Sequence, residues 1–222
     1  MNVKRKPDEG RGAIGPPAGA PRRRAVQAEQ TRAEILRSAR RHFARNGYAA
    51  TSLKAIAADA GVSVQTVYDS VGSKADLVRR LNDLIDEEAD VAGIAAELST
   101  DDEPERVAAI PARITRRILE RCGDIVRASH DAARVEPELQ EVVEEGGRRH
   151  RAGARAVASR LAELGALHRG ADTDEVGHSI AALSDARLAF VLLDDLAFDL
   201  DAAERWMAVT TRRAVLDRTG GD

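Results

Sequence analysis

Hydrophobic residues along most of this chain return every three to four positions, which is the spacing of one face of an α-helix. The first such set is Ile35, Leu36, Ala39 and Phe43, with arginines in the positions around them. β-branched residues rarely cluster, aromatic residues make up 3% of the chain, and Ala, Leu, Arg and Glu are abundant. Most of these abundant residues favour helices. The pattern therefore predicts an all-α protein.

Glycines divide residues 29–89 into four predicted helices. They are expected at residues 31–46, 52–60, 64–71 and from 74 onward. Thr31 and Glu34 have the spacing of a capping box at the start of the first helix. Ser63 and Ser73 are expected to cap the third and fourth helices, because serine side chains accept hydrogen bonds from the first backbone N–H groups. Gly61 permits the left-handed backbone of a tight turn between the second and third.

A polar run at residues 99–104 predicts a loop, and helical spacing resumes beyond it. The further helices are expected at residues 110–118, 124–134, from 137 onward, 173–196 and 201–217. Pro111 is expected to start or kink its helix, and the pair Gly146-Gly147 leaves room for a bend. Asp172 and Asp201 each stand three residues before a Glu, which predicts the starts of the last two helices.

The two ends of the chain differ in charge. Residues 1–80 hold 16 Lys and Arg against 7 Asp and Glu, and the remainder holds 18 against 30. A basic end on an acidic body favours a polyanionic partner for the first part, although such charges also simply solvate helix faces. Residues 1–28 are rich in Pro, Gly, Ala and Arg and are expected to form a disordered basic arm.

Composition also bears on the compartment. Cys122 is the only cysteine, which excludes a disulfide framework and a cysteine metal cage and fits a reduced cytoplasm. No apolar run is expected to reach the roughly 18 residues of a membrane helix. The N-terminus lacks the hydrophobic stretch of a secretory signal. We therefore expect a cytoplasmic protein.

Catalytic and metal chemistry find little support. His130, His150, His168 and His178 have no partner His or Cys at ligand spacing. Nucleophile motifs, phosphate loops and zinc signatures are absent from the sequence. We expect no catalytic residue, no metal and no cofactor, and hence no enzyme.

The segment at residues 52–71 has the pattern of a helix-turn-helix, which places its second helix in the major groove of DNA. The residues expected to brace it are Leu53, Ile56, Ala60, Val62 and Val67. The residues expected to protrude are Ser63, Val64, Gln65, Thr66 and Tyr68.

A wider set of motifs covers residues 29–89 without gaps. These are Thr31-Arg32-x-x-Ile35-Leu36, Phe43-x-x-x-Gly47-Tyr48, Thr51-Ser52-x-x-x-Ile56-Ala57, Ala60-Gly61-Val62-Ser63, Thr66-Val67-Tyr68 and Gly72-Ser73-Lys74-x-x-Leu77. Together they resemble the DNA-binding domain of the TetR family of transcriptional regulators. The run from Glu204 to Arg213 is similar to a TetR-type effector domain. The resemblance implies a helix-turn-helix domain at 29–89 and a helical ligand-binding and dimerisation domain at 90–222.

Given the resemblance, Gln65 fits the hydrogen-bonding edge of adenine and Val64 fits a thymine methyl group. The side chains implied to hold phosphates are Thr66, Tyr68, Lys74 and either Thr51 or Ser52, and Ser63 is expected among the other DNA-binding residues. The alternative for all of them is a solvated helix face or a helix cap. Arg22, Arg23 and Arg24 either enter the adjacent minor groove or form a solubilising tail.

Three residues depart from the family pattern. Asp69, Ser70 and Val71 stand where family members usually carry a polar or aromatic pair and a Phe. Ser70 replaces a His or Tyr that often touches a phosphate, and Asp69 adds negative charge near DNA. These changes bear on DNA affinity rather than on the fold.

The resemblance further implies a homodimer on a pseudo-palindromic operator, a small-molecule effector and repression that the effector relieves. The residues expected at the dimer interface are Val176, Ile180, Leu183, Phe190, Trp206, Val209, Arg213 and Leu216. The residues expected to line the effector pocket are Ile114, Ile118, Cys122, Ile125, Leu139, Val142, Val143 and His150.

Two alternatives remain open. One is a DNA binder without sequence preference or effector, and the other is a ligand-binding protein that keeps the fold without recognising an operator.

Overall fold

The computed structural model describes residues 20–217, and these residues form helices with no β-strand among them. The helices are α1 (Ala20–Ala50), α2 (Leu53–Asp59), α3 (Val64–Ser70), α4 (Lys74–Asn82), α5 (Ile85–Glu88), α6 (Val91–Ala96), α7 (Pro104–Val135), α8 (Gln140–Glu163), α9 (Thr173–Leu183), α10 (Ala186–Phe190) and α11 (Leu200–Val215). Short 3₁₀ turns cover Glu97–Ser99 and Pro137–Leu139, and a π-helical turn covers Val191–Asp195. The prediction of an all-α protein is confirmed.

The first four helices share one hydrophobic core. Ile35, Ile56, Val67 and Leu77 come from α1, α2, α3 and α4 respectively, and all four are fully buried. Burial of each such side chain stabilises the fold by about 1.5–3 kcal/mol. The core continues into α7 through Ile125, so the N-terminal helices rest directly on the longest helix of the protein.

Helix α1 begins eleven residues earlier than the capping box at Thr31 predicts. The Thr31 hydroxyl donates to the carbonyl of Gln27, one turn back, and does not cap a helix. Residues 20–28 are therefore helical rather than part of a disordered arm, since Ala, Arg and Gln in this stretch sustain a helix. Residues 1–19 of that predicted arm lie outside the described residues.

Gly47 interrupts α1 as the sequence predicts. Its backbone has φ 73° and ψ 169°, a left-handed conformation that favours glycine. The turn brings Tyr48 back against Phe43, with the ring centroids 5.6 Å apart. Both rings are buried, so the bend closes one end of the N-terminal core.

Helix α7 is one element of 32 residues that spans the predicted helices 110–118 and 124–134; the break falls between them as predicted, whereas the expected start or kink at Pro111 is wrong. Pro104 occupies its first turn, and Pro111 lies inside the helix rather than at its start. The non-helical backbone occurs at Cys122, with φ −136° and ψ 15°. Cys122 is fully buried, and burial raises the pKa of its thiol to about 12.

Helix α8 runs through Gly146 and Gly147 as one element, although the sequence left room for a bend there. Gly177 of α9 lies against it, because a Cβ atom at Gly177 would stand 3.0 Å from Cγ and 3.4 Å from Cα of Arg155. The absence of a side chain thus allows a close approach of the two helices. Val157, Leu161 and Ile180 form the core between them.

The predicted helix at 173–196 is divided in the structure. Asp172 caps α9 as expected, accepting hydrogen bonds from the backbone of Asp174 and Glu175. The helix ends at Ser184, and Asp185 caps α10 as a new start. For α11 the predicted start at Asp201 is wrong, because Asp199 provides the cap by accepting from Ala202 N at 2.6 Å.

One segment of the described residues, Thr173–Asp195, is long and apolar enough to cross a membrane by length and composition alone. This corrects the expectation that no such run exists. A single segment of this kind is weak evidence, because core helices pass the same test. Here the segment is broken at Ser184, and Val176 and Ile180 are buried against α8.

Candidate nucleic-acid interface

Two serines set the starts of the helices in the helix-turn-helix. Ser52 Oγ accepts from Ala55 N at 3.1 Å to cap α2, and Ser63 Oγ accepts from Thr66 N at 3.0 Å to cap α3. Each such cap stabilises its helix by about 1 kcal/mol. Gly61 between them has φ 67°, the left-handed backbone that the sequence predicts for this turn.

Helix α3 has one buried face and one exposed face. Val67 is fully buried against α1 and α2, and Val71 closes the same face. On the opposite face, Val64 and Tyr68 are 36% and 52% exposed. Of the predicted protruding residues, Ser63, Val64, Gln65 and Tyr68 are exposed, whereas Thr66 is half-buried.

The amide of Gln65 is held by Asp69, one turn further along α3. Gln65 Nε2 donates to Asp69 Oδ1 at 2.8 Å, and both residues are exposed. A glutamine amide has two N–H donors and one acceptor oxygen. One donor and the oxygen therefore stay available for a base edge, while Asp69 fixes the direction of the side chain.

Two arginines hold the C-terminal end of α3, and sequence reasoning missed both. Arg32 Nε donates to the carbonyl of Ser70 at 3.3 Å, and Arg80 Nε donates to the carbonyl of Val71 at 3.2 Å. The last carbonyls of a helix lack partners within the helix and carry partial negative charge, so cations stabilise them. Because Arg32 lies 38 positions before its partner, no local spacing reveals this contact.

Only 4% of the surface of Thr51 is exposed, which corrects its prediction as a phosphate contact. Its hydroxyl lies 2.8 Å from the carbonyl oxygen of Gly47 and 3.2 Å from that of His42, and it donates its hydrogen to these two acceptors. Thr51 thus stabilises the bend after α1. Ser52, the neighbouring candidate, remains exposed while it caps α2.

Lys74 is half-buried rather than extended toward solvent. Its ammonium group lies 4.1 Å from the centroid of the Tyr48 ring and 3.5 Å from the Ala49 carbonyl. Burial lowers the pKa of Lys74, and the nearby charge of Glu136 partly opposes that shift. A phosphate contact would require the side chain to leave this position.

The basic residues before α1 are only partly described. Arg23 and Arg24 lie exposed in the first turns of α1, and the side chain of Arg22 lies outside the described residues. They are therefore carried on a helix that continues into the N-terminal core.

The N-terminal helices are joined to the body by a cluster around Arg40. Arg40 donates to Asp124 at 2.6 and 2.9 Å and to Glu88 at 2.7 Å. It also donates to the carbonyl of Arg121, beside the kink of α7. On α4, Asn82 donates to Ser129 Oγ at 2.6 Å. Both α1 and α4 thus have polar links to α7.

None of the eight predicted pocket residues lines the cavity found at the domain junction. Cys122, Ile125 and Leu139 are buried in the N-terminal core, with Ile118 and Val142 packed against it. Ile114 and Val143 are half-buried, and His150 Nε2 lies 2.8 Å from the Ala181 carbonyl. Core residues and pocket residues have the same composition, so the sequence did not separate them.

The cavity itself has a volume of about 380 Å³ and lies between α1, α7 and the helical turn after α10. It is lined by Phe43, Ala44, Gly47, Leu119, Gly123, Asp124, Arg127, Ala128, Asp131, Phe190 and Leu193. Among residues 20–217 no cluster of three His, Cys, Asp or Glu side chains could hold a metal ion.

The predicted dimer face is only partly available at the surface. Val176 and Ile180 are buried against α8, which corrects their assignment to the interface, whereas Leu216 is half-buried and packs on the same core. Leu183, Phe190 and Val209 are half-buried, whereas Trp206 and Arg213 are exposed. Val191 and Leu196 are 44% and 57% exposed and add apolar surface near the start of α11.

The geometry defines a helix-turn-helix domain mounted on a helical body. Residues 35–81 match the model of the family described as bacterial regulatory proteins, tetR family. Over 83 residues the chain is 37% identical to the HTH-type transcriptional regulator TtgR of Pseudomonas putida. That alignment covers 37% of this chain and 40% of TtgR, so it spans about two fifths of that relative.

Two solved structures resemble the chain over most of its length. The SmeT–triclosan complex has a TM-score of 0.68 at 22% identity. Its alignment covers 86% of this chain and 93% of the SmeT chain. NalD, the secondary repressor of the MexAB-OprM multidrug efflux pump in Pseudomonas aeruginosa, has a TM-score of 0.67 at 21% identity, with coverage of 87% and 99%. Residues 35–81 thus match a TetR-family domain model, and the described part of the chain shares the all-α fold of these two solved structures.

Proposed function

We propose that this protein is a sequence-specific DNA-binding transcriptional regulator that acts as a homodimeric repressor in the cytoplasm. The observation that carries the proposal is the exposed face of α3. Val64 and Tyr68 face solvent there beside Gln65, while the opposite face is buried and the carbonyl end is held by arginines. Such a rigidly held helix with an exposed polar and apolar face is what insertion into a major groove requires.

In this function Val64 contacts a thymine methyl group, and Gln65 reads an adenine with its free N–H and its oxygen. Ser52, Ser63 and Tyr68 are exposed hydroxyls that donate to phosphates and set the register of the domain. Thr66 shares a hydrogen bond with Ser63 at 2.8 Å, which leaves it a supporting role.

Arg23 and Arg24 extend the basic surface beyond the helix-turn-helix, and Arg22 precedes them in the sequence. An exposed arginine pair at the end of a helix fits the adjacent minor groove, where negative potential attracts guanidinium groups. We expect these arginines to increase the affinity for DNA without contributing to the sequence preference.

Dimerisation places two copies of α3 on successive turns of one DNA face, which calls for a pseudo-palindromic site. The exposed apolar surface of Val191, Leu196 and Trp206 supports an interface formed by α11 and the segment between α10 and α11. A small-molecule effector would relieve repression by binding better to the dimer in which the two recognition helices are wrongly spaced. The triclosan complex of SmeT, a structural neighbour, supports an effector of this general kind.

The test is selection of bound duplexes from a random DNA pool by the purified protein at near-physiological salt. We expect enrichment of a palindrome whose half-sites are about one helical turn apart. Gln65→Ala should relax the preference at one base pair of each half-site, at a cost of about 1–3 kcal/mol. Gln140→Ala, an exposed glutamine on α8, is the matched control and should leave the selected sequence unchanged. Failure of the folded dimer to enrich any sequence would overturn the proposal.

A second candidate function is ligand binding without operator recognition, and Asp69 favours it. Its carboxylate occupies one donor of Gln65 and places negative charge on the face that would meet DNA. Asp69→Asn removes the charge and keeps a hydrogen-bond acceptor for Gln65. If the native protein selects no duplex but Asp69→Asn does, the second candidate is correct.

A further inference from the structure

We propose that the cavity at the domain junction is a binding site for a small organic cation with an apolar body. This inference deepens the proposed function, on which its regulatory part rests, by naming a site and a ligand class. The cavity volume of about 380 Å³ falls within the range of about 300–1,000 Å³ that ligand pockets occupy. Its position between α1 and α7 differs from the set of residues that the sequence led us to expect.

The apolar part of the lining can hold an aromatic or alkyl group. Phe43 and Leu119 are largely buried in the floor of the cavity, and Leu193 is half-buried beside them. Phe190 presents its ring to the same space, and the Arg127 guanidinium already lies 3.9 Å from the centroid of that ring. Because the guanidinium covers that face of the ring, Phe190 offers a ligand its remaining apolar surface rather than a second cation–π contact.

The polar part of the lining carries an excess of negative charge. Asp124 is neutralised by Arg40, and Arg127 is neutralised by Asp194 through hydrogen bonds of 2.6 and 2.8 Å. Asp131 lies exposed at the cavity and forms no ion pair within the part of the chain that the structure describes. A cationic ligand supplies the missing positive charge, whereas an anion would be repelled by Asp131.

The site is placed to act on the position of the DNA-binding helices. Phe43, Ala44 and Gly47 of α1 form one wall, and residues 119–131 of α7 form the other. A ligand between these walls contacts both domains at once. Because Asp124 is also the partner of Arg40, a cation that reaches it competes with the link between α1 and α7. Occupancy would therefore shift α1 relative to the body.

The binding test uses two matched probes in titration calorimetry with the full-length protein. The cation is (3-phenylpropyl)trimethylammonium, and the neutral probe is (4,4-dimethylpentyl)benzene, in which carbon replaces the charged nitrogen. We expect the cation to bind and the neutral probe to bind at least tenfold more weakly. Asp131→Asn should weaken the cation by about two- to fivefold, because the lost contact is a charge attraction at an exposed site without a hydrogen bond. Asp174→Asn, an exposed carboxylate on α9, is the control and should leave the affinity unchanged.

A second pair of variants tests the location by filling the cavity. Ala44 is exposed on α1 and lines the cavity, so Ala44→Leu should exclude the cation without disturbing the core. Ala33→Leu makes the same change on an exposed position of α1 outside the cavity and should bind the cation normally. Circular dichroism melts of both variants report the fold.

The outcomes separate this inference from the proposed function. Equal affinity for the two probes, or full affinity in both Asp131→Asn and Ala44→Leu, overturns the cation site. If the protein selects an operator but does not bind the cation, the inference is wrong and the proposed function stands. If the cation binds with the expected variant pattern and no duplex is selected, the site stands and the repressor function is wrong.

Discussion

Arg40 of α1 and Asp124 of α7 form a two-point ion pair, with Nε to Oδ2 at 2.6 Å and Nη2 to Oδ1 at 2.9 Å. The pair joins the helix-turn-helix domain to the body beside the kink at Cys122. Asp124 and Glu88 raise the pKa of Arg40 above its usual value, since both hydrogen bonds favour the charged guanidinium. The junction is thus held by a directional contact as well as by apolar packing.

Replacement of Arg40 tests that contact. Arg40→Gln should lower the free energy of unfolding by about 1–3 kcal/mol, because charged hydrogen bonds are lost at a partly buried site. Urea denaturation followed by circular dichroism measures the change. Arg106→Gln is the control, because Arg106 is 67% exposed in its pair with Asp101, and solvent screening should make the loss of that pair smaller. Equal losses in the two variants would contradict a special role for Arg40.

Two buried threonines should respond oppositely to the same substitution. Thr115 Oγ donates to the Ser184 carbonyl at 2.6 Å, where α9 ends, so Thr115→Val leaves that carbonyl unpaired. We expect a loss of about 1–3 kcal/mol. Thr211 Oγ is buried and has no hydrogen-bond partner among the described residues. Thr211→Val should therefore leave the stability unchanged or raise it. Chemical denaturation measures the free energy of unfolding of both variants. A lower free energy of unfolding in Thr211→Val would show that the hydroxyl has a hydrogen-bond partner.

Substitutions at two helical glycines, one in α8 and one in α9, should change the stability in opposite directions. A Cβ at Gly177 would stand 3.0 Å from Cγ of Arg155, so Gly177→Leu forces α8 and α9 apart and should cost about 1–3 kcal/mol. At Gly146 no atom beyond the local helix backbone lies within 4 Å of the Cβ position. Gly146→Ala should stabilise α8 by about 0.5–1 kcal/mol, because alanine has less backbone freedom to lose. Thermal melts report both, and a stabilised Gly177→Leu would refute the close approach.

His130 predicts a pH dependence of stability. Burial lowers its pKa below the usual 6.5, and the charge of Arg187 adds to that shift. A histidine with a depressed pKa in the folded state binds a proton more readily when unfolded. Stability should therefore fall as the pH drops through 6.5 toward the folded-state pKa. His130→Gln should remove this slope between about pH 7.5 and 5.5, whereas His178→Gln, at an exposed site, should retain it. Melting curves across that range are the measurement.

Local signals in the sequence were reliable where one physical cause acts alone. The caps at Ser63, Ser73 and Asp172 were predicted, because each side chain satisfies a backbone donor two or three residues away. Gly47 was likewise predicted, since its left-handed backbone admits few other residues. The capping spacing at Thr31 failed, because good helix formers before it let α1 continue back to Ala20.

Features made by distant residues could not be predicted in this way. Arg32 and Arg80 reach the end of α3 from two other helices, and no pattern near α3 points to them. Val176 and Ile180 have helical spacing that fits a dimer face and a core face equally, and α8 determines which one they form. The junction cavity combines residues of α1, α7 and the turn after α10, which only the packed fold brings together.

Because α1 is long, a small rotation of this helix near Arg40 produces a larger displacement at its start. Ala20 lies twenty residues before Arg40, or about 30 Å at 1.5 Å per residue. A tilt of about 4° around the Arg40–Asp124 contact would therefore move the exposed arginines at the far end by about 2 Å. Such a rotation is too small to disturb the packing near Arg40. At the start of α1, however, the displacement is large enough to break a hydrogen bond.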